Sequence, residues 1–536
     1  MQQYCRCVAF VVSLGALAGA QQLGDSRACL AGQVLGADGE PLDGAVLRLR
    51  RQETTPRDIT ATADASGRFS YVTCSPGWYE LTASQPGYAT TAYGATEPGG
   101  AATPLVLGVE PLSGLKVHLV KSGVVTGSVR KANGEPLGGV NVSIIDEIIG
   151  SSGIKYSTVV SSGMTNALGV YRLPDVPPAR YLLQAAPPRA AISSATNIEG
   201  YAITYYPSAA RAADASRVDV VSAQTTERID VFVKTEPLVR LTGQVLGVNR
   251  SPIATGAVTI DSAEPPFSMV MTAPITQGRF SFPGGLRRGH YVLRYSELLG
   301  ARPMRAWAII DLTGALDTVE RDLLVQPATS VTGLLVITAA DNAASASTLR
   351  LGLLPRDERL RNSQIAIPLL ADGSFAFDGV PPGQYRFTVT PTTGPSSMRL
   401  SSVHVNERET VDGYFEVGGA QDLRVTLTVS DRQGLITGSL ADTAGRPATD
   451  YAIVVFPADR TLWSASFRRS FGVRPANTGE FRIPSVPPGE YRLAVVAKAK
   501  KNEWLLPEFL ETVIGTSVSV TVVENTSTSP IRLVVR

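Results

Sequence analysis

One pattern recurs five times along the chain and constrains its architecture. In each copy a glycine precedes an aromatic residue by two positions, and a tyrosine follows the glycine by 12 or 13 positions. The copies run from Gly67-Arg-Phe69 to Tyr79, Gly169-Val-Tyr171 to Tyr181, Gly278-Arg-Phe280 to Tyr291, Gly373-Ser-Phe375 to Tyr385 and Gly479-Glu-Phe481 to Tyr491. Their spacing of about 100 residues is that of a small β-sandwich and is too long for a solenoid repeat. The pattern predicts an all-β chain of five tandem sandwiches.

Other features of each copy support strands. An opening Gly-x-Val or Gly-x-Leu strand, such as Gly127-Ser-Val129, is followed by an alternating run such as Val140, Val142 and Ile144, which places its apolar side chains on one face. A proline-rich turn such as Val380-Pro-Pro-Gly383 ends the strand that begins after the first glycine of each copy. The tyrosine after this turn is expected to bond to nearby backbone through its hydroxyl, as at the corner of a sandwich.

The repeat divides the chain into predicted segments. They are a signal peptide at 1–20 and sandwiches at 21–121, 122–236, 237–327, 328–430 and 431–536. The short segments between a closing strand and the next opening glycine leave neighbouring units little freedom. We therefore expect a semi-rigid rod, straight or gently bent, with a length of roughly 150 Å for strands of about 8 to 10 residues per unit.

The first 20 residues have the composition of a secretory signal peptide. One charge, Arg6, precedes an apolar run from Val8 to Ala20, and the run closes on Ala18-Gly-Ala20. The apolar run is too short to span a bilayer, and small residues at its end favour cleavage after Ala20. The alternative is an ordinary apolar N-terminus. The signal predicts an exported protein, in the periplasm, on the cell surface or secreted, with no helix crossing the membrane in its mature chain.

Two cysteines remain after such a cleavage. Cys5 and Cys7 leave with the signal peptide, whereas Cys29 and Cys74 both fall in the first unit. Outside the cytosol two thiols in one small domain usually pair, so we expect a Cys29–Cys74 disulfide. The alternative is two independently buried small side chains. Lipidation of Cys29 is disfavoured because Ser26 and Arg27 do not fit the motif that precedes a lipidated cysteine.

The paired motifs resemble a known family. Gly32-Gln-Val34 with Asp38-Gly-Glu-Pro-Leu42, and Gly479-Glu-Phe481 with Val486-Pro-Pro-Gly-Glu-Tyr491, are similar to the carboxypeptidase regulatory-like domain. The resemblance is clearest in units one, two and five. It implies immunoglobulin- or transthyretin-like sandwiches, related to starch-binding-like and Cna B-type modules, and a bacterial exported protein with a non-catalytic accessory, adhesive or glycan-binding role.

The sequence offers no recognisable catalytic set. The net charge of +2 gives no field that would attract nucleic acid. Of three histidines, His404 precedes Glu407 in a His-x-x-Glu motif, but no third histidine follows to complete a zinc site, and positions three apart in a strand face opposite sides. His118 and His290 are expected to be structural. We predict no enzyme, no cofactor and no metal.

Two weaker signals belong to related modules. Asp64-Ala-Ser-Gly67 and Ala371-Asp-Gly373 are short Asx-type turns that supply too few oxygens for a calcium loop. The Lys–Asn isopeptide bonds of Cna B-type modules are not expected as a general feature, because the chain has only eight lysines among 49 basic residues and none in the third or fourth unit.

Loop aromatics define the two functional hypotheses. Sugars bind on exposed aromatic faces beside polar groups, and such residues lie outside the repeated core at Tyr201, Tyr205, Tyr206, Trp463, Arg468 and Trp504. If these side chains are exposed and aligned, they predict a polysaccharide-binding protein. The preferred hypothesis is a non-catalytic structural, adhesive or envelope interaction module, whose partner is an envelope protein or a polysaccharide. The oligomeric state and the identity of any ligand are left open.

Overall fold

The computed structural model is a chain of paired β-sheets. It describes residues 28–52, 58–150, 153, 155–188, 192–193, 198–263, 269–299, 302–314, 317–325, 329–339, 345–357, 359–360, 364–392, 398–418, 422–463, 468–497 and 499–535. The predicted signal peptide lies outside these residues. Five times along the chain one small sheet faces a second sheet, and the predicted all-β tandem array is confirmed. The residue boundaries between units remain predictions.

The first sheet of every unit has one topology. The opening strand lies in the middle, antiparallel to the strand that holds the first motif aromatic (the signature strand) and parallel to the closing strand. The opening strands are Leu30–Leu35, Gly123–Lys131, Val239–Leu246, Thr329–Thr338 and Gly434–Asp442. The signature strands are Arg68–Tyr71, Val170–Val176, Arg279–Leu286, Ser374–Val380 and Glu480–Val486. The closing strands are Leu112–His118, Thr225–Thr226 with Val231–Val233, Thr318–Glu320 with Leu323–Leu324, Leu423–Ser430 and Ile531–Val535.

The second sheet is an antiparallel ladder whose third strand (the corner strand) contains the motif tyrosine as its second or third residue. In units one to five, in that order, the first two strands of this sheet are Asp58–Thr62 and Val46–Arg51, Lys155–Met164 and Asn141–Ile149, Met269–Pro274 and Ala257–Ser262, Ile365–Pro368 and Leu349–Pro355, and Phe471–Val473 and Ala452–Pro457. The corner strands are Gly77–Ser84, Ala179–Ala186, His290–Leu299, Gly383–Pro391 and Gly489–Val496. The far edge is formed by Thr91–Ala92 with Leu105–Leu107, Thr204–Tyr205 with Val218–Val220, Arg302–Asp311, Phe415–Val417 and Val518–Val522.

Short elements complete the chain. Additional strands are Tyr88–Ala89, Val120–Lys121, Ile192–Ser193, Ile198–Tyr201, Thr235–Pro237, Arg399–Val405 and Arg408–Glu409. Short 3-10 turns lie at Ala212–Asp214, Ala346–Thr348, Arg460–Leu462, Glu503–Leu505 and Ile514–Thr516. The α-helix Pro507–Val513 lies in an insertion of the fifth unit. Among the described residues no helix has both the length and the apolar character needed to cross a membrane.

The glycine of each opening strand and the aromatic residue of the signature strand are cross-strand neighbours. The opening glycine pairs with the signature aromatic in each unit: Gly32 with Phe69, Gly127 with Tyr171, Gly243 with Phe280, Gly333 with Phe375 and Gly438 with Phe481. A Cβ atom at Gly333 would collide with the Val425 backbone carbonyl and approach the Phe375 ring. Glycine is therefore required where the ring fills the space beneath the opening strand.

The tyrosine corner is confirmed in all five units. The hydroxyl of Tyr79 donates to the carbonyl of Ser75 at 2.7 Å. The corresponding bonds join Tyr181 to Pro177 at 2.9 Å, Tyr291 to Arg287 at 2.8 Å, Tyr385 to Pro381 at 2.8 Å and Tyr491 to Pro487 at 2.7 Å. The predicted alternation is also confirmed, since Val140, Val142 and Ile144 are fully buried. Each unit closes one apolar core.

The predicted rod is wrong because the array folds back on itself. The fifth unit contacts the first, where the Arg482 guanidinium lies 4.6 Å from the centroid of the Trp78 ring. The fifth unit also contacts the second, where the Asn502 side chain donates to the Ile149 carbonyl at 2.8 Å. Short linkers limit how freely neighbouring units turn but do not set the direction of each turn, so linker length could not reveal this closure.

Candidate functional site at the junctions between units

The predicted aromatics of the second unit are packed rather than displayed. Tyr205 is 8% exposed, and its hydroxyl accepts a hydrogen bond from the Gln184 side chain at 2.9 Å. Tyr201 and Tyr206 are half-buried and pack against the core of the unit. These contacts leave no row of ring faces on which a sugar could stack.

The aromatics of the fifth unit lie in a second, separate cluster. Trp463 is 5% exposed, donates its indole N–H to the Pro457 carbonyl at 2.8 Å and meets the Phe456 ring edge-on at 5.6 Å. Trp504 is half-buried and covers the backbone of Gly472, which has no side chain to obstruct the ring. Together with Leu510 of the α-helix these rings form a small core under the insertion. The predicted glycan platform is therefore not displayed in this structure.

Arg468 is the predicted site residue that lies between units. Its guanidinium donates to Asp412 of the fourth unit at 2.6 Å and to the Leu400 carbonyl at 2.7 Å. Arg469 donates to the other oxygen of Asp412 at 2.7 Å and to the hydroxyl of the corner tyrosine Tyr491 at 3.1 Å. All three charged side chains are at least four-fifths buried. One carboxylate thus joins two guanidiniums across the junction of units four and five.

The electrostatics of this junction favour an ionised Asp412. Burial alone would raise the pKa of its carboxyl, but hydrogen bonds and charges from Arg468 and Arg469 outweigh burial and hold the pKa below its usual range. The pKa of the Tyr491 hydroxyl is raised, chiefly by burial, while the nearby Arg469 opposes that rise. A desolvated carboxylate between two arginines is stable only while both partners remain in place.

Arginine also joins the second and third units. Arg287 donates to the backbone carbonyls of Tyr201 at 2.9 Å and Pro187 at 3.0 Å, and lies 3.7 Å from Glu236. Burial raises the pKa of Glu236, and the charge of Arg287 partly offsets this effect. Arg287 occupies the place of the first proline in the Val-Pro-Pro turns of other units. The third unit therefore departs from the Val-Pro-Pro motif at Arg287, the residue that binds the second unit.

A partly buried arginine also joins the third and fourth units. The Arg305 guanidinium donates to the Asp378 carbonyl at 2.7 Å, and burial lowers the pKa of this arginine. Beside it the Trp307 ring lies 6.3 Å from the ring of Tyr385, the corner tyrosine of unit four. A side chain of the third unit is thereby packed against the core of the fourth.

The junction that closes the array joins units five and one. The Arg474 side chain is 8% exposed and donates to the carbonyls of Gly94 at 2.6 Å and Ala101 at 3.0 Å. Asn477 bonds twice to the edge strand of unit one: its side chain accepts from the Val106 amide at 3.0 Å, and its own amide donates to the Pro104 carbonyl at 3.0 Å. This contact covers a sheet edge that would otherwise be available to other strands.

A second contact of unit five reaches unit two. Besides the bond from Asn502 to Ile149, Lys155 lies 3.6 Å from Glu508 of the α-helix, with both side chains well exposed. The insertion that contains Trp504 thus lies against the strand pair Asn141–Ile149 and Lys155–Met164. Sequence reasoning placed a binding surface in this insertion, and the structure places an inter-unit contact there.

The remaining polar candidates have local partners. His404 lies 3.3 Å from Glu409 rather than beside Glu407, and His290 lies 3.7 Å from Asp311. The Asp64 carboxylate accepts the amides of Ser66 and Arg68, forming the predicted Asx turn. Within the described part of the chain no three His, Cys, Asp or Glu residues are grouped so that they could hold a metal ion.

The two cysteines of the first unit are joined. Cys29 and Cys74 form a disulfide with Cα atoms 5.9 Å apart. Both side chains pack against the core of the unit. The bond ties the beginning of the opening strand to the turn that precedes the corner strand.

The family comparison agrees with the sequence motifs. Residues 30–107 match the family model of the carboxypeptidase regulatory-like domain. The resemblance stated from the motifs is thereby confirmed, and the matched residues are those of the first sandwich. No curated protein matches the chain.

Several solved structures are similar to parts of the chain. A streptococcal ancillary pilin is 14% identical, with 56% of this chain and 98% of that chain covered and a TM-score of 0.20. A minor pilin of Streptococcus agalactiae is 12% identical over 39% and 97% of the two chains, with a TM-score of 0.23. The Bacillus anthracis TIE protein is 15% identical over 78% and 74%, with a TM-score of 0.14. With TM-scores this low, these matches support no functional argument.

Proposed function

We propose that the protein is an exported, non-catalytic structural or adhesive module of the cell envelope, in which five sandwiches act as one closed scaffold. The observation that supports this most directly is the burial of Arg474 between units five and one. A guanidinium that is 8% exposed and donates to Gly94 and Ala101 fixes the last unit on the first. Such a contact holds the shape of an assembly rather than forming a reactive site.

The distribution of reactive groups favours this role over catalysis. The three histidines belong to three different units: His118 is exposed on a closing strand, whereas His290 and His404 each lie beside a single carboxylate. Acid–base or nucleophilic catalysis needs such groups within hydrogen-bond reach of each other and of a substrate. Buried arginines instead meet carbonyls and carboxylates of neighbouring units.

Carbohydrate binding through the loop aromatics has less support. Trp463 and Tyr205 are 5% and 8% exposed, and their polar atoms already bond within their own units. A sugar could stack on either ring only after local unfolding. The envelope partner that we propose is therefore a protein.

The test is binding of the purified chain, residues 21–536, to two immobilised sets of ligands. One set is an envelope extract of the producing cells, before and after protease treatment, and the other is a glycan array. We expect saturable binding to the extract that protease abolishes, and no binding to the array. Binding that survives protease but is lost after periodate oxidation of the glycans would replace the proposed role with carbohydrate recognition.

A further inference from the structure

The Cys29–Cys74 disulfide replaces a device that the other units build differently. Cys74 is the last residue before the turn that leads to Trp78. A buried valine or leucine occupies the same position in the other four units. In the other units that residue pairs with the first residue of the opening strand: Gly123 with Val176, Val239 with Leu286, Thr329 with Val380 and Gly434 with Val486. In unit one the ladder covers Leu30 to Gln33, and beyond it the disulfide from Cys29 holds the turn.

The turn after Cys74 directs the chain into the corner strand Gly77–Ser84. The Tyr79 hydroxyl donates to the Ser75 carbonyl, and the Arg51 guanidinium donates to the Pro76 carbonyl at 2.9 Å. The turns in units two, four and five are restricted by two consecutive prolines, whereas this turn has one proline. The disulfide therefore supplies a restraint on the turn that the second proline supplies in units two, four and five.

The corner strand leads directly to the contact with unit five. Trp78 is its second residue, and its ring receives the Arg482 guanidinium at 4.6 Å. Trp78 also pairs in the sheet with Val106, whose amide donates to the Asn477 side chain. Two of the contacts that close the array are thus built on the strand that the disulfide anchors.

We propose that the Cys29–Cys74 disulfide makes closure of the array sensitive to redox conditions. The inference rests on the closed scaffold proposed above. A dithiol reductant gives two electrons and two protons: the S–S bond breaks, two cysteine thiols form, and the reductant becomes a cyclic disulfide. The turn is then held by hydrogen bonds alone, and Trp78 and Val106 lose their fixed position opposite Arg482 and Asn477. The exported environment keeps the oxidised, closed form.

The test is hydrogen exchange of the full mature chain, oxidised and after dithiothreitol, read by mass spectrometry. Reduction is checked by alkylation of two thiols. We expect exchange at least tenfold faster in peptides containing Val106 and Asn477, while the ladder between Leu49 and Leu81 in the same unit stays protected. A Cys29→Ser, Cys74→Ser variant, which can form neither the disulfide nor the apolar contact of the other units, should show the open pattern without reductant.

Each alternative result has a distinct meaning. Unchanged exchange at Val106 and Asn477 after complete reduction would overturn the inference. Equal acceleration at Leu81 would overturn it too, because the disulfide would then only stabilise the unit. The double variant Arg474→Ala, Arg482→Ala serves as a positive control that opens the contact with the disulfide intact. Small-angle scattering of the oxidised chain separates the two proposals, since an extended oxidised chain would contradict closure itself.

Discussion

The guanidinium of Arg482 lies 4.6 Å from the centre of the Trp78 ring, and this pair joins the last sandwich of the chain to the first. Stacking of an arginine on a tryptophan contributes about 0.5–2 kcal/mol, depending on how far the pair is desolvated. By itself that is too little to hold two units together. Arg474 and Asn477 add charge-assisted and backbone hydrogen bonds beside it, so closure depends on the set.

Removing two of these residues should open the array. For one compact body of this length we expect a radius of gyration of about 24 Å, and a closed array of separate units lies somewhat above that value. A rod of roughly 150 Å corresponds to about 43 Å. The double variant Arg474→Ala, Arg482→Ala should move the radius measured by small-angle scattering towards the rod. Arg532→Ala, which removes an exposed arginine of the same unit, should leave it unchanged. A wild-type radius near 43 Å would contradict the closed arrangement.

The junction of units four and five should weaken in acid. The pKa of Asp412 is lowered in the folded chain, so its contribution to stability is fully present above the unfolded value of about 4 and is lost as pH falls through the folded value. Asp412→Asn removes this charge at every pH. At pH 7 it should cost about 3 kcal/mol, because two buried guanidiniums lose their shared partner.

Calorimetry between pH 7 and pH 2 measures this effect. The difference in unfolding temperature between the wild-type chain and Asp412→Asn should be largest at neutral pH and should shrink below about pH 4. Glu524→Gln removes an exposed carboxylate of unit five and serves as the matched control. A difference that is constant across this range would show that ionisation of Asp412 does not stabilise the junction.

The features predicted from sequence are those set by local chain geometry. The corner tyrosines bond to a carbonyl four residues earlier, so the motif contains both partners. The opening glycine and the signature aromatic recur once in every unit, 37 to 44 positions apart, because they pair across neighbouring strands. Both relationships repeat once per unit, and repetition is visible in a single sequence.

The contacts at the junctions between units are neither local in sequence nor repeated from one unit to the next. Arg474 contacts carbonyls of Gly94 and Ala101, and backbone carbonyls leave no trace in the sequence. Two indirect signals existed: the excess of arginine over lysine, which suits bidentate and buried contacts, and the replacement of the Pro-Pro turn by Arg287-Arg288. Trp463 was misplaced for another reason. It lies outside the repeat, in the loop between Ala452–Pro457 and Phe471–Val473, but Leu510 from the α-helix of a different insertion joins it in one small core, and the ring is buried.

The corner bonds should each stabilise their own unit. Tyr385→Phe removes the hydroxyl that donates to the Pro381 carbonyl, in a residue that is 1% exposed, and leaves the packing of the ring intact. The expected loss is about 1 kcal/mol of unfolding free energy, which lowers the midpoint of that unit's transition by about 4–8 °C for a domain of this size. Tyr88→Phe removes a hydroxyl outside the corners and is the control. An unchanged calorimetric profile for Tyr385→Phe would contradict a stabilising corner.

Trp463 should behave as a core residue and not as a ligand platform. Its indole is 5% exposed, bonds to Pro457 and packs on Phe456, so Trp463→Ala should cost about 3–5 kcal/mol through lost burial and a cavity. Trp463→Phe keeps most of the apolar volume and should cost less. Denaturant unfolding of both variants gives the stability change, and tryptophan fluorescence reports the loss of the ring. If Trp463→Ala left stability unchanged but abolished binding to a glycan, the ring would have to be accessible in solution, and the packed arrangement around Phe456 and Leu510 would be contradicted.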